Sequence, residues 1–218
     1  MKKVISFSLW GNNPKYTIGA IRNAELIETI YPGWIGRFYC GKSVPVEIIE
    51  KLKSLPQTEV IMMEVEGDWT GMFWRFYACE DSDVMLSRDT DSRLSQREKS
   101  AVDEWLNSDK DFHIMRDHPH HNTEILGGMW GVRNGLLKNI KELIADYTKG
   151  DFWQVDQNFL REQIYPLVAN HSFIHDSYLK YNSNSKKFPS ERINKEFIGD
   201  VFDENENRHP EYYKFLTK

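Results

Sequence analysis

The sequence predicts an α/β fold in which a mostly parallel, twisted sheet is flanked by helices within a single domain. Short apolar runs alternate with stretches of helical periodicity over about the first ninety residues, which is the pattern of consecutive βα units. The chain has 218 residues, a length that fits one domain and allows a sizeable core. Hydrophobic residues make up 40% of the chain and charged residues 28%, so the composition is that of an ordinary globular protein.

The first part of the chain shows this alternation most clearly. Strand-like runs end at turn signals such as Gly11 and Gly41, and helical stretches end before Pro32 or Pro56. We predict, in order, a strand at 4–10, a helix that ends at 32–33, a strand at 34–40, a helix at 46–55, a strand at 59–65, a helix at 72–78 and a strand at 84–87.

The second part begins with a helix-start signal. Ser95 is followed three residues later by Glu98, which is the capping-box signature. We then predict strands at 112–115 and 126–132, helices at 136–147 and 153–165, the second ended by Pro166, and a short strand at 173–174. From residue 181 onward the chain is polar and is predicted to be loop-like, with a docking segment at 197–202.

Charge and cysteine usage exclude several classes of protein. The formal net charge is −5, which argues against nucleic acid as a partner because phosphate binding needs clustered Lys and Arg. Cys40 and Cys79 form no CxxC motif, so neither a zinc ribbon nor a disulfide framework is expected. The apolar run at 4–10 is much shorter than a membrane span, and no cleavage site follows it. We therefore expect a protein without a membrane span, located in the cytoplasm.

The motif Asp-x-Asp occurs three times, and its position relative to the strands distinguishes the copies. The copies at 81–83 and 109–111 each precede a predicted strand. Only Asp89 and Asp91 follow a strand, at the carboxyl edge where α/β sheets bind their ligands. This copy is therefore the candidate for function.

The chemistry of this copy suits a divalent cation. Side chains two positions apart in an extended segment point the same way, so Asp89 and Asp91 would present hard oxygen ligands to Mg²⁺ or Mn²⁺. Arg88 and Arg93 flank the pair and would offset carboxylate repulsion or contact phosphate. The alternative is a polar turn with an ordinary Asp–Arg surface cluster.

The order of these segments resembles the GT-A-fold glycosyltransferases over roughly residues 4–176. An aromatic stretch with one Arg, at 73–78, precedes the strand and Asp-x-Asp motif at 84–93. The glycine-containing run at 126–133 is similar to the acceptor-side strand of those enzymes. Asp156-Gln157 resembles the Asp-Gln element of the retaining group that includes glycogenin and bacterial lipopolysaccharide galactosyltransferases.

The resemblance implies a GT-A-like (Rossmann-like) sheet and a set of ligands. The donor would be a nucleoside-diphosphate sugar, the acceptor a glycan or other hydroxyl compound, and the metal Mn²⁺ or Mg²⁺ held by Asp89 and Asp91. His175 stands where such enzymes supply a third metal ligand. The single domain would divide into a donor-nucleotide half at about 1–93, an acceptor half at about 94–180 and a tail at 181–218.

The resemblance also implies where the donor is bound. In the resembled fold, the end of the first strand, here Ser8, Leu9 and Trp10, receives the base and ribose. Arg75 carries a fork of donors suited to phosphate or sugar hydroxyls, and Arg88 is expected to assist it.

Two further segments are assigned to substrate binding. Gly127, Gly128 and Gly131 would let the backbone around Met129 and Trp130 approach a ligand closely, and Trp130 would offer a ring to a sugar. His118 and His120 belong to the densest histidine cluster of the chain and are expected to contact sugar hydroxyls or phosphate on the acceptor side. Their spacing matches no familiar zinc pattern.

Asp156 and Gln157 are the candidate catalytic residues. Asp156 begins a predicted helix, where the amide dipole favours a carboxylate. It would act either as the base that deprotonates the acceptor hydroxyl or, near the anomeric carbon, as a group that stabilises oxocarbenium character. Retention and inversion both stay open, and a simple capping carboxylate is the alternative.

These observations favour a hexosyltransferase of surface polysaccharide, lipopolysaccharide or glycoprotein glycan synthesis. One alternative is a metal-dependent phosphohydrolase with Asp89 as nucleophile, but such enzymes usually carry Asp-x-Asp on the first strand, which here ends in Leu9-Trp10. A non-catalytic nucleotide-sugar binder is the other alternative, and the intact acids and Gln157 disfavour it.

Overall fold

The computed structural model describes residues 1–147, 149–178 and 182–216, and its strands follow the predicted order. They are β1 Lys3–Leu9, β2 Ile35–Cys40, β3 Thr58–Met62, β4 Val84–Arg88, β5 Phe112–Arg116, β6 Trp130–Arg133 and β7 Ser172–Asp176.

Helices connect these strands. They are α1 Pro14–Ile30, α2 Val46–Ser54, α3 Gln96–Leu106, α4 Ile140–Asp146, α5 Val155–Phe159, α6 Tyr165–Val168 and α7 Pro210–Tyr213, together with a 3-10 helix at Trp69–Glu80, a π-helix at Leu160–Ile164 that joins α5 to α6, and a 3-10 turn at Ala169–His171. Within the described part of the chain, no helix has both the length and the apolar character that a membrane span requires.

The strands form one seven-stranded sheet in the order β3-β2-β1-β4-β6-β5-β7. Strands β1 to β4 pair in parallel, as do β5 and β7, whereas β6 runs antiparallel to its neighbours β4 and β5. The predicted α/β class with a mostly parallel sheet is therefore confirmed. Because β6 is reversed, its first residues lie at the same edge as the last residues of β1 and β4.

Local sequence signals account for two helix starts. The side chain of Asn13 accepts a hydrogen bond from the Lys15 amide at 3.1 Å, and Pro14 occupies the first helical position of α1. Ser95 accepts from the Glu98 amide at 3.2 Å and caps α3, which confirms the predicted cap. The Glu98 side chain does not complete the capping box, since it is turned to a buried ion pair.

Each face of the sheet buries its own apolar cluster, because side chains alternate along the strands. Phe76, Trp130 and Phe159 belong to the cluster beneath the 3-10 helix, α4 and α5. Ile27 and Phe38 belong to the cluster beneath α1, α2 and α3. Each of these fully buried side chains contributes roughly 1.5–3 kcal/mol through the hydrophobic effect.

Several predicted elements have different bounds; β3 ends at Met62, for example, and the helix predicted at 72–78 is a 3-10 helix at Trp69–Glu80. Residues 126–129 form a turn before β6 and are not part of the strand, and α4 begins only at Ile140. The helical segment expected to end at Pro166 continues to Val168. The π-helix changes the hydrogen-bonding register there, so that Pro166 falls in the first turn of α6, where a missing amide is tolerated.

Asp117 attaches the C-terminal segment, residues 182–216, to the sheet. Its fully buried carboxylate follows β5 and accepts hydrogen bonds from Arg97 Nε and Nη2 of α3 at 2.8 and 2.9 Å. It also accepts from Arg192 Nη2 at 2.6 Å and from the Ile198 amide at 3.0 Å. Burial raises the pKa of Asp117, but its bonds to Arg97 outweigh burial and hold the pKa below its ordinary value. Ile198 is itself buried, within the predicted docking segment.

We expect Asp117→Ala to destabilise the protein by about 3–5 kcal/mol, because it leaves two buried guanidinium groups without their partner. Thermal unfolding and limited proteolysis of the C-terminal segment are the measurements. The matched control is Asp103→Ala, since Asp103 pairs with Lys99 on the surface at 2.5 Å with its side chain 49% exposed. The control should cost less than about 1 kcal/mol. Equal stability losses in the two variants would show that Asp117 does not hold this segment.

Candidate active site

Most of the predicted site residues line one cleft of about 530 Å³ at the carboxyl ends of β1 and β4. Those that do so are Ser8, Leu9, Trp10, Arg75, Asp89, Asp91, Met129, Asp156 and Gln157. The topology explains why they meet: β1 and β4 end at this edge, β6 begins here, and α5 packs against the 3-10 helix that carries Arg75.

Arg75 joins the two sides of the cleft. Its Nη1 atom lies 2.5 Å from Asp89 Oδ1, and its Nη2 atom lies 2.6 Å from Asp156 Oδ2. Its backbone amide donates to Ser8 Oγ at 3.0 Å, which attaches the 3-10 helix to the end of β1. Burial lowers the pKa of Arg75, but the charges of Asp89 and Asp156 more than compensate, and the net pKa is raised. The group therefore stays positive and fixes the spacing of the two acids.

Asp156 is the most deeply buried acid of the cleft, with 2% of its side chain exposed. Its Oδ1 atom is buried and has no hydrogen-bond partner among the described residues. Burial raises the pKa of Asp156 by more than Arg75 lowers it, so the pKa lies above its ordinary value. A buried acceptor without a partner costs free energy, so this oxygen is suited to receive a donor from a ligand.

Gly127 and Gly128 let the backbone approach both acids closely. A Cβ atom at Gly127 would clash with Asp156 Oδ2 and with Arg75 Nη2. A Cβ atom at Gly128 would clash with Asp89 Oδ2. The predicted close approach at these glycines is therefore to the acids of the site, and Gly128 itself borders the Asp89 carboxylate.

Asp91 lies beside Asp89 and carries its own counter-ion. Its carboxylate is 2.8 Å from Lys15 Nζ of α1 and is 18% exposed, whereas the Asp89 side chain is 44% exposed. Burial and the negative charge of Asp89 raise the pKa of Asp91, while Lys15 lowers it. Residues 89–91 form a turn and not the predicted extended segment, yet both carboxylates line the cleft.

The C-terminal segment forms one wall of the cleft. Gly199 and Val201 line it, and the Phe202 amide donates to the Asp91 carbonyl at 2.9 Å. Arg93 pairs with Glu206 at 2.7 Å, so Arg93 holds this wall in place. No motif predicts this role, because the contact joins residues 113 positions apart in the chain.

Two predicted site residues belong to the core instead. Arg88 is 2% exposed and its Nε atom pairs with Glu98 of α3 at 2.7 Å. Along β4, Arg88 lies on the same face as Val84 and Leu86, which face away from the cleft, so the prediction that it contacts the donor is corrected. Trp130 is fully buried and stacks on Phe112 at 5.3 Å, so it offers no face to a sugar.

The predicted metal ligand His175 lies in β7, at the edge of the sheet beyond β6 and β5. It is fully buried, with Nδ1 2.8 Å from His113 Nε2 and Nε2 3.0 Å from Glu104 Oε2. Both ring nitrogens are thus engaged, and His175 does not line the cleft. Its assignment as a third ligand beside Asp89 and Asp91 is corrected, and the described residues contain no cluster of three or more metal-binding side chains.

His118 and His120 hold the C-terminal segment and do not line the cleft. His118 is buried, and its Nε2 lies 2.8 Å from the Tyr212 carbonyl oxygen. His120 packs on Phe215 with ring centroids 4.7 Å apart. The neighbouring His121 does line the cleft, and its Nδ1 accepts from the Asp117 amide at 3.0 Å.

A second cavity, of about 650 Å³, lies at the opposite edge of the sheet. Another Asp-x-Asp copy borders it, but Asp81 and Asp83 are 53% and 60% exposed and pair with Lys2, Arg37 and the N-terminal amine. No buried acid is brought to the cavity by these residues. The carboxyl-edge cleft is therefore the stronger candidate.

Solved glycosyltransferase structures share this architecture. One is involved in glycosylation of the major capsid of PBCV-1 (TM-score 0.53, 17% identity, 81% of this chain and 82% of that chain). Another is residues 1–349 of S. aureus TarS in complex with UDP (TM-score 0.54, 15% identity, 86% of this chain and 59% of that chain). A third is the galactosyltransferase LgtC with donor and acceptor sugar analogues (TM-score 0.50, 13% identity, 80% and 73%).

The chain has a GT-A-like fold. At these identities the likeness concerns the fold alone, and this chain spans little more than half of the TarS fragment. No protein-family model matches the chain, and no curated protein is significantly similar to it in sequence. Within the GT-A-like fold, the Arg75-bridged acids lie where the parallel strands end, the edge at which α/β sheets bind ligands.

The His113–His175 pair predicts how stability depends on pH. Burial lowers the pKa of both side chains, that of His113 strongly. The unfolded chain therefore takes up protons first, and stability should fall as the pH drops below about 6.5. We expect His175→Gln to reduce the fall in melting temperature between about pH 7.5 and pH 5.5. The exposed His120→Gln serves as control and should keep the parental slope. Parallel profiles for all three proteins would contradict this assignment.

Proposed function

We propose that this protein is a glycosyltransferase that moves a hexose from a UDP- or GDP-sugar to a hydroxyl acceptor in glycan synthesis. The observation that carries the proposal is the Arg75 bridge between Asp89 and Asp156 inside the cleft. It sets a buried, partly unsatisfied carboxylate beside the more accessible acids Asp89 and Asp91, on a fold shared with enzymes of this class. The pathway, whether surface polysaccharide, lipopolysaccharide or glycoprotein glycan, is part of the proposal.

The residues of the cleft fit a divalent cation. Asp89 and Asp91 supply hard oxygen ligands, and the Asp89 carboxylate is accessible from the cleft, with 44% of its side chain exposed. Burial and, after it, repulsion by Asp89 raise the pKa of Asp91, and a cation would offset both by stabilising the charged carboxylate. We propose that these two acids hold Mn²⁺ or Mg²⁺, with the remaining positions left for phosphate oxygens and water. A bound cation would neutralise charge on the departing nucleoside diphosphate.

The other residues of the cleft take roles that follow from their positions. Ser8, Leu9 and Trp10 form the wall at the end of β1 and are proposed to contact the base and ribose. Asp156 and Gln157 open α5 on the other side of Arg75 and are proposed to act at the reacting carbon or on the acceptor hydroxyl. Met129 is proposed to border the sugar.

The proposal is tested by nucleotide-sugar turnover with and without Mn²⁺. Asp89→Asn and Asp91→Asn should each lower release of UDP or GDP from its hexose by about 100-fold or more, because metal stabilisation of the leaving group is worth several kcal/mol. Asp83→Asn and Asp109→Asn are matched controls, since they alter Asp-x-Asp copies outside the cleft, and they should keep parental turnover. Equal turnover in all variants, or phosphate release from simple esters without nucleotide-sugar turnover, would contradict the proposal.

Lys15 provides a separate test of the metal site. Since Lys15 shares the Asp91 carboxylate, Lys15→Met should tighten binding of Mn²⁺ in the absence of nucleotide. We expect about a two- to five-fold gain, because a partly exposed ion pair is worth up to about 1 kcal/mol. Calorimetric titration with Mn²⁺ alone measures it. Lys42→Met is the control, since Lys42 pairs with the exposed Glu64 outside the cleft. Unchanged or weaker Mn²⁺ binding in Lys15→Met would place the ion elsewhere.

A further inference from the structure

Two tryptophans at the mouth of the cleft are unusually exposed. Trp69 is 45% exposed and Trp153 is 65% exposed, and both line the cleft. By contrast, four of the seven tryptophans of the chain are at most 5% exposed, namely Trp34, Trp74, Trp105 and Trp130. Large aromatic side chains that line a cleft and stay exposed are candidates for contacts with a ligand.

The two rings are carried by the same elements as the bridged acids. Trp69 begins the 3-10 helix that bears Arg75, and its amide donates to Asp151 Oδ1 at 3.1 Å. Trp153 lies three residues before Asp156 and is followed by Gln154, whose left-handed backbone (φ 69°) precedes α5. The Asp151 contact therefore ties the two ring-bearing segments together across the mouth.

The surroundings of the rings favour a neutral ligand. Asp68 directly precedes Trp69, and Asp151 lies two residues before Trp153. Both carboxylates are exposed, so a phosphate or anionic lipid at the rings would meet like charge, which is unfavourable. The nearest lysine in sequence, Lys149, pairs with Glu162 at 3.0 Å. A neutral pyranose, with apolar C–H faces and hydroxyls at its rim, suits flat rings bordered by carboxylate acceptors.

The Trp153 ring also lies on the acceptor side of the proposed reaction, and the Asp151 contact joins the backbone of Trp69 to its segment. The diphosphate end of the cleft is defined by Asp89 and Asp91, next to α1. Trp153 belongs to the segment that opens α5, on the Asp156 side of Arg75. A ring there would position an acceptor hydroxyl towards the reacting carbon, away from the departing diphosphate.

We propose that Trp69 and Trp153 form a stacking platform for the acceptor, and that the acceptor is a neutral saccharide. The assignment to the acceptor rests on the proposed function, whereas saccharide binding at the rings is tested without turnover. Tryptophan fluorescence is titrated with maltose, lactose and mannobiose as probes, and with galactose 6-phosphate and a Ser/Thr peptide for comparison.

The variants are Trp69→Ala, Trp153→Ala and the milder Trp153→Phe, which keeps a flat ring. Phe152→Ala is the matched control, because Phe152 is a neighbouring aromatic that is 38% exposed and does not line the cleft. We expect each Ala variant to weaken saccharide binding, and to raise the KM for a saccharide acceptor, about ten-fold. Trp153→Phe should recover part of this loss. Binding of UDP with Mn²⁺ and donor hydrolysis to water should stay at the parental level.

The outcomes separate this proposal from the function on which it rests. If the parent turns over nucleotide sugars and the Ala variants use saccharide acceptors as well as Phe152→Ala does, the platform is wrong and the transferase is not. If the Ala variants lose UDP affinity, the rings belong to the donor site. A fluorescence response to the peptide or to galactose 6-phosphate, with none to the three neutral sugars, overturns the neutral-saccharide assignment. If the parent turns over no nucleotide sugar, the proposed function fails, and the titration still decides whether the rings bind sugars.

Discussion

The geometry of the cleft depends on one guanidinium group. Arg75 contacts Asp89, which follows β4, and Asp156, which lies at the start of α5. These two acids are 67 positions apart in the sequence. Taking the charges of Arg75 and Asp156 out of water is expensive unless they are paired with good geometry. Gly127 and Gly128 meet that condition, because any side chain there would push the acids away from Arg75. The site is thus assembled by packing constraints around a buried charge cluster.

Ion pairs between a buried arginine and a carboxylate recur elsewhere in the sheet. Arg88 pairs with Glu98, Arg97 with Asp117 and Arg116 with Asp176, each between largely buried groups. The first two pairs attach α3 to the strands and the third joins β5 to β7. Asp117 also binds Arg192 of the C-terminal segment, which in turn forms a wall of the cleft. Buried pairs add little net stability but are costly to break. The C-terminal segment therefore keeps a defined position, although few of its residues lie in helices or strands.

A sequence shows the order of the elements and the spacing of residues along the chain, but not which side chains meet in the fold. The rule that ligands lie beyond strand ends placed Asp89 and Asp91 at the cleft, since it needs only the order of elements. The same rule cannot say which face a side chain takes, so Arg88 was assigned to the donor although it points into the core. His175 is engaged by His113, 62 positions away, and spacing cannot show that contact. Lys15, Trp69 and Trp153 were missed because none of them belongs to a motif, and sequence spacing does not show which side chains line a cleft.

Charge balance gives the strongest physical reason for a cation in the proposed reaction. The cleft gathers three carboxylates, Asp89, Asp91 and Asp156, against two cations, Arg75 and Lys15, and both cations are already shared with those acids. A nucleoside diphosphate adds further negative charge to a site that is negative on balance. Negative charges that lie close together repel strongly when they are partly desolvated. Arg75 or Lys15 could bind the phosphates only by breaking its ion pair with an acid of the cleft. A divalent ion between the acids and the diphosphate would be attracted to both. The excess of carboxylates makes the cleft a poor site for an anion alone. The same excess is expected of a site that binds an anion together with a metal ion.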